Sequence, residues 1–295
     1  MLEKKCRRFG RVWQVVTKMI IDTHVHIFPD KLCPQTIEQL AVTDPDHILT
    51  YYGDGSLHCA EKNMEDWGFD LGLILPIATN PKQQAKVNAF ALKLQKETDV
   101  FDACGSIHPD AQDRIETIEW IASSGLKGIK LHPDYQNFFI QDEKLYPVYE
   151  KAAELGLPMV FHTGYDPVSP KCIHATPEGV RQVAVDFPNL VMVAAHTGGL
   201  AFYEGSWEIY QDLPNLYFDT AIASYTFTPE SYRKIIDFYG AERFIFATDN
   251  PWGSGEKDSA FIEALHLSKK EQDLILYQNA QKVFKLLPKS RRDLV

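Results

Sequence analysis

The stretch IIDTHVHIFPD, residues 20–30, joins an apolar run to two histidines that are separated by one residue. The β-branched isoleucines ahead of them favour a β-strand. Successive side chains of a strand point to opposite faces, so His24 and His26 share one face with Asp22. Two imidazoles on one face at the end of a strand can bind a metal ion if other strands supply the remaining ligands.

Seven more apolar, β-branched runs follow this one. The predicted strands are 19–27, 69–78, 100–108, 128–133, 158–164, 190–197, 216–221 and 244–250. Amphipathic patterns predict helices at 82–97, 111–124, 142–155 and 177–187. Apolar strands that alternate with helices predict a parallel sheet that helices cover on both sides. The eight units predict an α/β fold, a (β/α)8 TIM barrel. The alternative, a doubly wound open sheet, would carry a glycine-rich phosphate loop after its first strand.

The interval between the first two predicted strands is longer than the others. We predict that residues 28–68 form an insertion and lid region at the barrel mouth. The Asp-Gly pair within residues 48–60, ILTYYGDGSLHCA, predicts a small hairpin there. Residues 1–18 contain six lysines and arginines against one glutamate, and we predict that they form a dispensable basic tail. Residues 19–295 are then a single barrel domain.

Composition limits the classes of partner. The net charge of −10 divides into +5 over residues 1–18 and −15 over the rest, which argues against a nucleic-acid groove. Five scattered cysteines without a Cys-x-x-Cys pair indicate a reducing compartment. No apolar stretch is long enough to span a bilayer. These features predict a cytoplasmic protein that acts on a small molecule, with neither a nucleic-acid nor a membrane partner.

Histidines gather at the ends of the predicted strands. The six that do so are His24, His26, His108, His132, His162 and His196, and the last strand ends in Asp249. Barrel enzymes build their active sites at this rim. One histidine at a strand end is usually structural, but six with a carboxylate on a shared rim predict a divalent metal site. Zn²⁺ is the predicted ion and Mn²⁺ is the alternative.

Five motifs in this order resemble the amidohydrolase superfamily, in the branch that holds metal-dependent hydrolases and decarboxylases of aromatic and semialdehyde acids. They are DTHVHIF (22–28), GIKLHP (128–133), VFHTG (160–164), AAHTGG (194–199) and FATDNPW (246–252). The similarity runs from Met19 to about Leu287 and implies a homo-oligomer. It implies one ion bound by His24, His26, His162 and Asp249, with His196 either just outside these ligands or touching the catalytic water. A two-ion centre bridged by carboxylated Lys130 is the alternative.

Two reactions fit this site. The preferred one is hydrolysis of a small amide, ester or lactone, with a metal-activated water and Asp249 as general acid and base. The alternative is decarboxylation of a small aromatic or unsaturated carboxylic acid. The preference follows from the rim, where no arginine is predicted to bind a substrate carboxylate. The predicted substrate contacts are Lys130, His132, His108, Tyr165 and Trp252.

Other assignments stay open on the sequence alone. Lys130 can instead form a Schiff base in a metal-free enzyme, and a barrel can also lose catalysis altogether. Asp22 is predicted either to fix the tautomer of a histidine or to pair with Lys130. Asp219 is predicted either to support His196 or to be a buried structural carboxylate.

Overall fold

The computed structural model describes residues 19–42, 50–167, 169–202 and 207–288 of the chain. Within these ranges short, buried, parallel strands line the centre of the molecule. They are β1 (Ile21–Val25), β2 (Leu71–Ile74), β3 (Phe101–Ala103), β4 (Gly105–Ser106), β5 (Ile129–Leu131), β6 (Met159–Phe161), β7 (Met192–Ala194), β8 (Leu216–Asp219) and β9 (Phe244–Ile245).

The strands pair in chain order as two sheets, β1 to β3 and β4 to β9, rather than as one closed ring. Only Cys104 separates β3 from β4, so these two are the halves of one barrel strand. Backbone hydrogen bonds join β1 to the segment after β9. They run from Thr23 N to Phe246 O, from Asp249 N to His24 O and from His26 N to Asn250 O, at 3.0, 3.0 and 2.7 Å. The predicted α/β barrel fold is confirmed.

Helices follow the strands and cover the outside of the barrel. They are α1 (Cys33–Val42), α2 (Leu57–Trp67), α3 (Gln84–Glu97), α4 (Arg114–Ser124), α5 (Pro133–Gln136), α6 (Tyr146–Glu154), α7 (Pro177–Asp186), α8 (Ala195–Gly198), α9 (Ala223–Thr226), α10 (Pro229–Tyr239), α11 (Gly255–Ala264), α12 (Lys269–Asp273) and α13 (Asn279–Phe284). The four predicted helices correspond to α3, α4, α6 and α7.

The strands end earlier than predicted, because the residues after them leave the sheet to build the mouth. β9 stops at Ile245, whereas the predicted strand continues to residue 250. Within that stretch Asp249 has a φ of 67°, in the left-handed region, where a strand cannot continue. The polar residues of the mouth therefore lie on turns that directly follow buried strands.

The hairpin predicted over residues 48–60 is wrong, because its second half is helical. Ser56 caps α2, and its side chain accepts a hydrogen bond from Cys59 N at 3.2 Å. The Asp54 carboxylate accepts from Ser56 N at 2.9 Å, so the Asp-Gly turn leads into a helix instead of a second strand. Residues 43–49 lie outside the described ranges.

Two apolar layers hold the strands in place. The barrel interior contains Ile21, Leu73, Val160, Val193 and Ile245, all buried. A larger layer packs the outer faces of the strands against the helices. In the described part of the chain, no helix has both the length and the apolar character that crossing a membrane requires.

Candidate metal centre

Three side chains at the barrel mouth direct their donor atoms at one point. His24 lies on β1, His26 comes directly after its last residue, and Asp249 follows β9. His24 Nε2, His26 Nε2 and Asp249 Oδ1 lie 3.2 Å from one another in all three pairs. The two imidazole rings meet at 66°. We call these three residues the convergent cluster.

The outer nitrogens of both rings are anchored. His24 Nδ1 lies 2.8 Å from Asp219 Oδ2, and His26 Nδ1 donates to Leu75 O at 2.9 Å. A carbonyl oxygen only accepts, as does an ionised carboxylate, so the proton of each ring sits on Nδ1. Both Nε2 atoms then present lone pairs toward the Asp249 oxygen.

This arrangement fits a divalent cation. Ligands that each lie about 2.0–2.1 Å from one ion are about 2.9–3.4 Å from each other, which matches the 3.2 Å spacing in the convergent cluster. Three electron-rich atoms that face one another repel unless a positive charge lies among them. A histidine ligand whose second nitrogen binds a carboxylate or a carbonyl is the usual pattern in metal sites.

Lys130 lies next to this cluster, as predicted from its position on β5. Its Nζ is 3.2 Å from His24 Nε2 and the side chain is fully buried. Burial lowers the pKa of Lys130 to about 8, against the charges of Asp219 and Asp249, which raise it. Burial, followed by the charge of Lys130, holds the pKa of His24 well below its ordinary value. His24 is therefore neutral, the form that ligates a metal.

His196 approaches the cluster from the turn after β7. Its donor atom, that of His24 and that of Asp249 all lie within 4.8 Å of one another. The backbone of His196 is left-handed, with φ 55° and ψ 44°, at a cost of about 1–3 kcal/mol. Asp219 Oδ1 accepts a hydrogen bond from His196 N at 2.7 Å and stabilises this turn. One carboxylate thus supports both His24 and His196.

A second group of possible ligands lies on the turns after β5 and β6. Asp166 Oδ2 is 3.4 Å from His132 Nε2 and 3.5 Å from His162 Nε2. The His132 ring stacks between those of Tyr135 and His162, at centroid distances of 3.8 and 4.1 Å and interplanar angles of 14° and 11°. We call His132, His162 and Asp166 the stacked cluster. All three are buried.

One contact joins the two clusters. His162 Nδ1 lies 3.0 Å from His196 Nε2, while His162 Nε2 is buried and has no hydrogen-bond partner among the described residues. Burial, followed by the charges of His132 and His196, lowers the pKa of His162 well below its ordinary value. The predicted ligand His162 thus stands beside the convergent cluster, and its role as a ligand stays a prediction.

The remaining predicted substrate contacts lie further out. His108 Nδ1 accepts a hydrogen bond from Asp110 N at 3.2 Å, and its contacts with other described residues do not bring it to either cluster. Trp252 donates from its backbone to Asp249 O at 2.7 Å, and its ring meets that of Tyr51 edge to face at 5.5 Å. Tyr165 is half-buried and precedes Asp166.

The structure assigns Asp22 neither of its two predicted roles. Its Oδ2 accepts from Thr248 Oγ1 at 2.6 Å and its Oδ1 accepts from Thr248 N at 3.0 Å, which ties β1 to the segment before Asp249. Burial raises the pKa of Asp22 to about 7. The carboxylate that orients a histidine ring is Asp219, which therefore has a wider role than predicted.

Asp166 was missed in the sequence. It follows His162 by four residues in HTGYDP, and this spacing was the available signal. A strand pattern tells which side chains share a face, but it does not tell where a loop side chain points. Asp134 and His174, whose Oδ1 and Nδ1 atoms are 2.8 Å apart, were not recognised as partners for the same reason.

Fold and site together define a parallel α/β barrel with a candidate metal centre at the carboxyl ends of its strands. The model of the amidohydrolase family matches residues 21–286. The chain therefore belongs to the amidohydrolase family, whose members are metal-dependent enzymes. No curated protein matches the sequence.

Solved structures share the fold at low sequence identity. A TIM-barrel protein from Bordetella bronchiseptica superposes with a TM-score of 0.74 at 19% identity, covering 90% of this chain and 98% of its own. The 5-carboxyvanillate decarboxylase of Sphingomonas paucimobilis gives 0.68 at 16% identity, covering 92% and 100%. A dihydroxybenzoic acid decarboxylase of Polaromonas sp. JS666, with bound manganese and the inhibitor 2-nitroresorcinol, gives 0.68 at 14%, covering 92% and 98%.

Proposed function

We propose that this protein is a metal-dependent decarboxylase of a small aromatic or unsaturated carboxylic acid. His24, His26 and Asp249 hold one divalent cation, with the predicted ligand His162 beside them. The observation that carries the proposal is the pairing of three converging electron-rich atoms with a buried lysine, whose Nζ is 3.2 Å from His24 Nε2. The similarity in fold to two decarboxylases supports this reaction over hydrolysis.

Lys130 supplies the charge that a carboxylate substrate needs. A bound divalent cation would polarise a carboxylate or phenolate oxygen of the substrate and neutralise part of its negative charge. The Lys130 ammonium, buried beside the same point, pairs with the other oxygen of the carboxylate. The cation and the Lys130 ammonium together take the role of an arginine, which the described residues do not place at the rim.

Asp249 transfers the proton in this reaction, and His196 orients the substrate. Asp249 turns Oδ1 toward the two histidines, so Oδ2 is the atom that would take a proton from solvent water and deliver it to the substrate carbon. The bond from that carbon to the carboxylate then breaks, CO2 leaves, and the electron pair restores the conjugated system. His196, half-buried beside the cluster, orients the substrate oxygen.

Hydrolysis of a small amide, ester or lactone remains the second candidate, and one observation favours it. The four arginines of the described residues are engaged elsewhere. Their partners are Ala111 O for Arg114, Ile209 O for Arg181, Asp237 for Arg233 and Leu213 O for Arg243. In a hydrolase Asp249 would take a proton from the attacking water and pass it to the leaving group.

A substrate panel tests the choice between the two reactions. Protein loaded with Mn²⁺ or Zn²⁺ is incubated with 2,6-dihydroxybenzoate and 5-carboxyvanillate, and separately with lactones, esters and amides. We expect CO2 release that follows the added ion and is absent from the His24→Ala variant. The Lys130→Met variant should raise KM for the acid more than it lowers kcat. Turnover of a lactone or an amide without any CO2 release would replace decarboxylation by hydrolysis.

We also propose Zn²⁺ or Mn²⁺ as the ion, the cytoplasm as the compartment and a homo-oligomer as the assembly. The imidazole and carboxylate donors suit either metal. Cys33, Cys59, Cys104 and Cys172, the described cysteines, are all free thiols, as a reducing compartment requires. Elemental analysis of the purified protein and its mass in solution test the first and last of these.

A further inference from the structure

The stacked cluster contains metal-binding residue types, but its ring geometry does not suit a second cation. The lone pair of an imidazole nitrogen lies in the plane of its ring. The rings of His132 and His162 are nearly parallel, at 11° and 4.1 Å, so their lone pairs lie in separate planes and do not meet at one point. In the convergent cluster the rings meet at 66° and the lone pairs point at one another. The stacked cluster must have a different role.

The two nitrogens of His162 face different surroundings. Nε2 lies 3.5 Å from Asp166 Oδ2, and Nδ1 lies 3.0 Å from His196 Nε2. A neutral imidazole carries one proton. If the proton is on Nε2, the N–H group faces the Asp166 carboxylate and is attracted to it. If the proton is on Nδ1, the lone pair of Nε2 faces the carboxylate and is repelled by it. The carboxylate therefore selects the Nε2–H tautomer.

The same reasoning fixes the proton of His196. Its Nδ1 lies 3.4 Å from Ala221 O, which can only accept, so a proton on this nitrogen is the favoured arrangement. His162 Nδ1 and His196 Nε2 then face each other as two unprotonated nitrogens 3.0 Å apart. This spacing is close to the 3.2 Å of the convergent cluster, and a cation next to both nitrogens relieves their repulsion.

We infer that Asp166 is the positioning residue for His162. Its carboxylate, 3.5 Å from Nε2, favours the proton on Nε2 and thereby leaves Nδ1 to face the ion of the convergent cluster. His24 and His26 present Nε2 instead, because Asp219 and Leu75 O hold their Nδ1 atoms. The inference rests on the proposed function only in taking the convergent cluster as the metal site.

Asp166 is itself held in place by its loop. The segment after β6 is tied to the α5 region, because Asp134 accepts hydrogen bonds from Ser169 and His174. Backbone bonds from Ile140 N to His174 O and from Gly164 N to Ala175 O, both at 3.0 Å, fix the two ends of this segment. The carboxylate thus reaches His162 from a braced loop, and the stack of rings prevents His162 from turning away.

Nitrogen NMR tests the tautomer directly. Full-length protein is labelled with 15N-histidine, loaded with Zn²⁺, and the ring signals are assigned with single histidine variants. We expect the His162 ring to be protonated on Nε2 and zinc-bound through Nδ1, whereas the His24 and His26 rings are protonated on Nδ1. A His162 ring that binds zinc through Nε2, or one that does not bind it, overturns the inference.

Zinc affinity, measured by competition with a chelator, tests the role of the carboxylate. Asp166→Ala should weaken binding by about 10- to 100-fold, as losing an outer partner of a ligand does. Asp166→Asn still offers a carbonyl oxygen to Nε2–H and should stay within about threefold of the wild type. Asp186→Ala, which removes an exposed carboxylate on α7, is the matched control. Wild-type affinity in a folded Asp166→Ala variant would contradict the assignment.

Stoichiometry separates this inference from the proposed function. One zinc per chain that His24→Ala abolishes agrees with both. No zinc in the wild type removes the proposed function and the inference together. Two zinc ions, one of them lost in His132→Ala, would leave the proposed function intact and make the stacked cluster a second cation site, which overturns the inference.

Discussion

The convergent and stacked clusters contain the same residue types, two histidines and one aspartate, yet they are built differently. In the convergent cluster His24 lies on β1 and His26 directly after it, and backbone bonds to the segment after β9 fix both positions. In the stacked cluster the residues lie on turns after β5 and β6, and ring stacking and side-chain hydrogen bonds hold them. Proximity alone does not make a metal site; the direction of each lone pair decides.

The largest expected effect comes from removing a ligand of the convergent cluster. His24→Ala leaves His26 and Asp249 without their third donor. Zinc affinity should fall by more than about 10³-fold, beyond the roughly 10- to 100-fold loss for an outer partner, and activity should fall to the background. Chelator competition and turnover measure the two losses. His266→Asn, which changes an exposed histidine after α11, is the control. Unchanged affinity in His24→Ala would remove the convergent cluster as the metal site.

Asp219 offers a second test, because its amide variant should invert a tautomer. Asp219 Oδ1 already accepts from His196 N and Ala221 N, at 2.7 and 3.2 Å. In Asp219→Asn the oxygen stays on these donors, and the amide NH2 faces His24 Nδ1. His24 then favours the proton on Nε2, so the tautomer that ligates the ion becomes the less stable one.

We therefore expect Asp219→Asn to lose about 10- to 100-fold in zinc affinity, as much as Asp219→Ala, although it is isosteric. Asp166→Asn should behave in the opposite way and keep its affinity. Both variants are measured by chelator competition at one pH. If Asp219→Asn binds zinc like the wild type, His24 is not oriented by this carboxylate.

The contrast between the clusters also explains what the sequence could predict. The strands were predicted in number and order, because apolar runs that alternate with helical patterns leave few other architectures. The strand pattern placed six histidines and Asp249 at one mouth, because the ends of barrel strands meet there, and the family resemblance selected His24, His26, His162 and Asp249 among them as ligands. These residues inherit their positions from the sheet.

What the sequence did not predict depends on local choices of side chains. The Asp54-Gly55 pair predicts a turn, but a turn can lead either into the second strand of a hairpin or into a helix. Ser56 caps α2, so the helix forms. Asp166 lies in a loop whose path is set by Asp134 and His174, which are distant in sequence. A periodic pattern carries no information about such contacts.

The raised pKa of one buried carboxyl group, that of Asp258, provides a further test. Burial raises the pKa of Asp258 to about 8, and the charges of Asp22 and Asp249 add to the rise. The folded protein then binds a proton that the unfolded chain loses near pH 4. The free energy of unfolding should fall as the pH rises from about 4 to about 8, by up to about 1.4 kcal/mol per pH unit.

Asp258→Asn removes this titration. In metal-free protein, urea unfolding should show the variant gaining stability relative to the wild type between pH 5 and pH 8. Asp212→Asn, at an exposed turn, controls for replacing a carboxylate by an amide. A stability difference that stays constant over this range would show that Asp258 is not held neutral by the fold.

The smallest expected effect comes from a substitution next to the stacked cluster. Tyr135→Leu removes the outer ring of the stack but keeps an apolar side chain, so it should lower the free energy of unfolding by about 0.5–1.5 kcal/mol. Zinc affinity should fall less than tenfold, because Asp166 still holds His162. Tyr135→Phe keeps the ring and should match the wild type in urea unfolding and chelator competition. A loss of zinc in Tyr135→Leu as severe as in His24→Ala would mean that stacking, rather than the carboxylate, aims His162, and that the two clusters act as one unit.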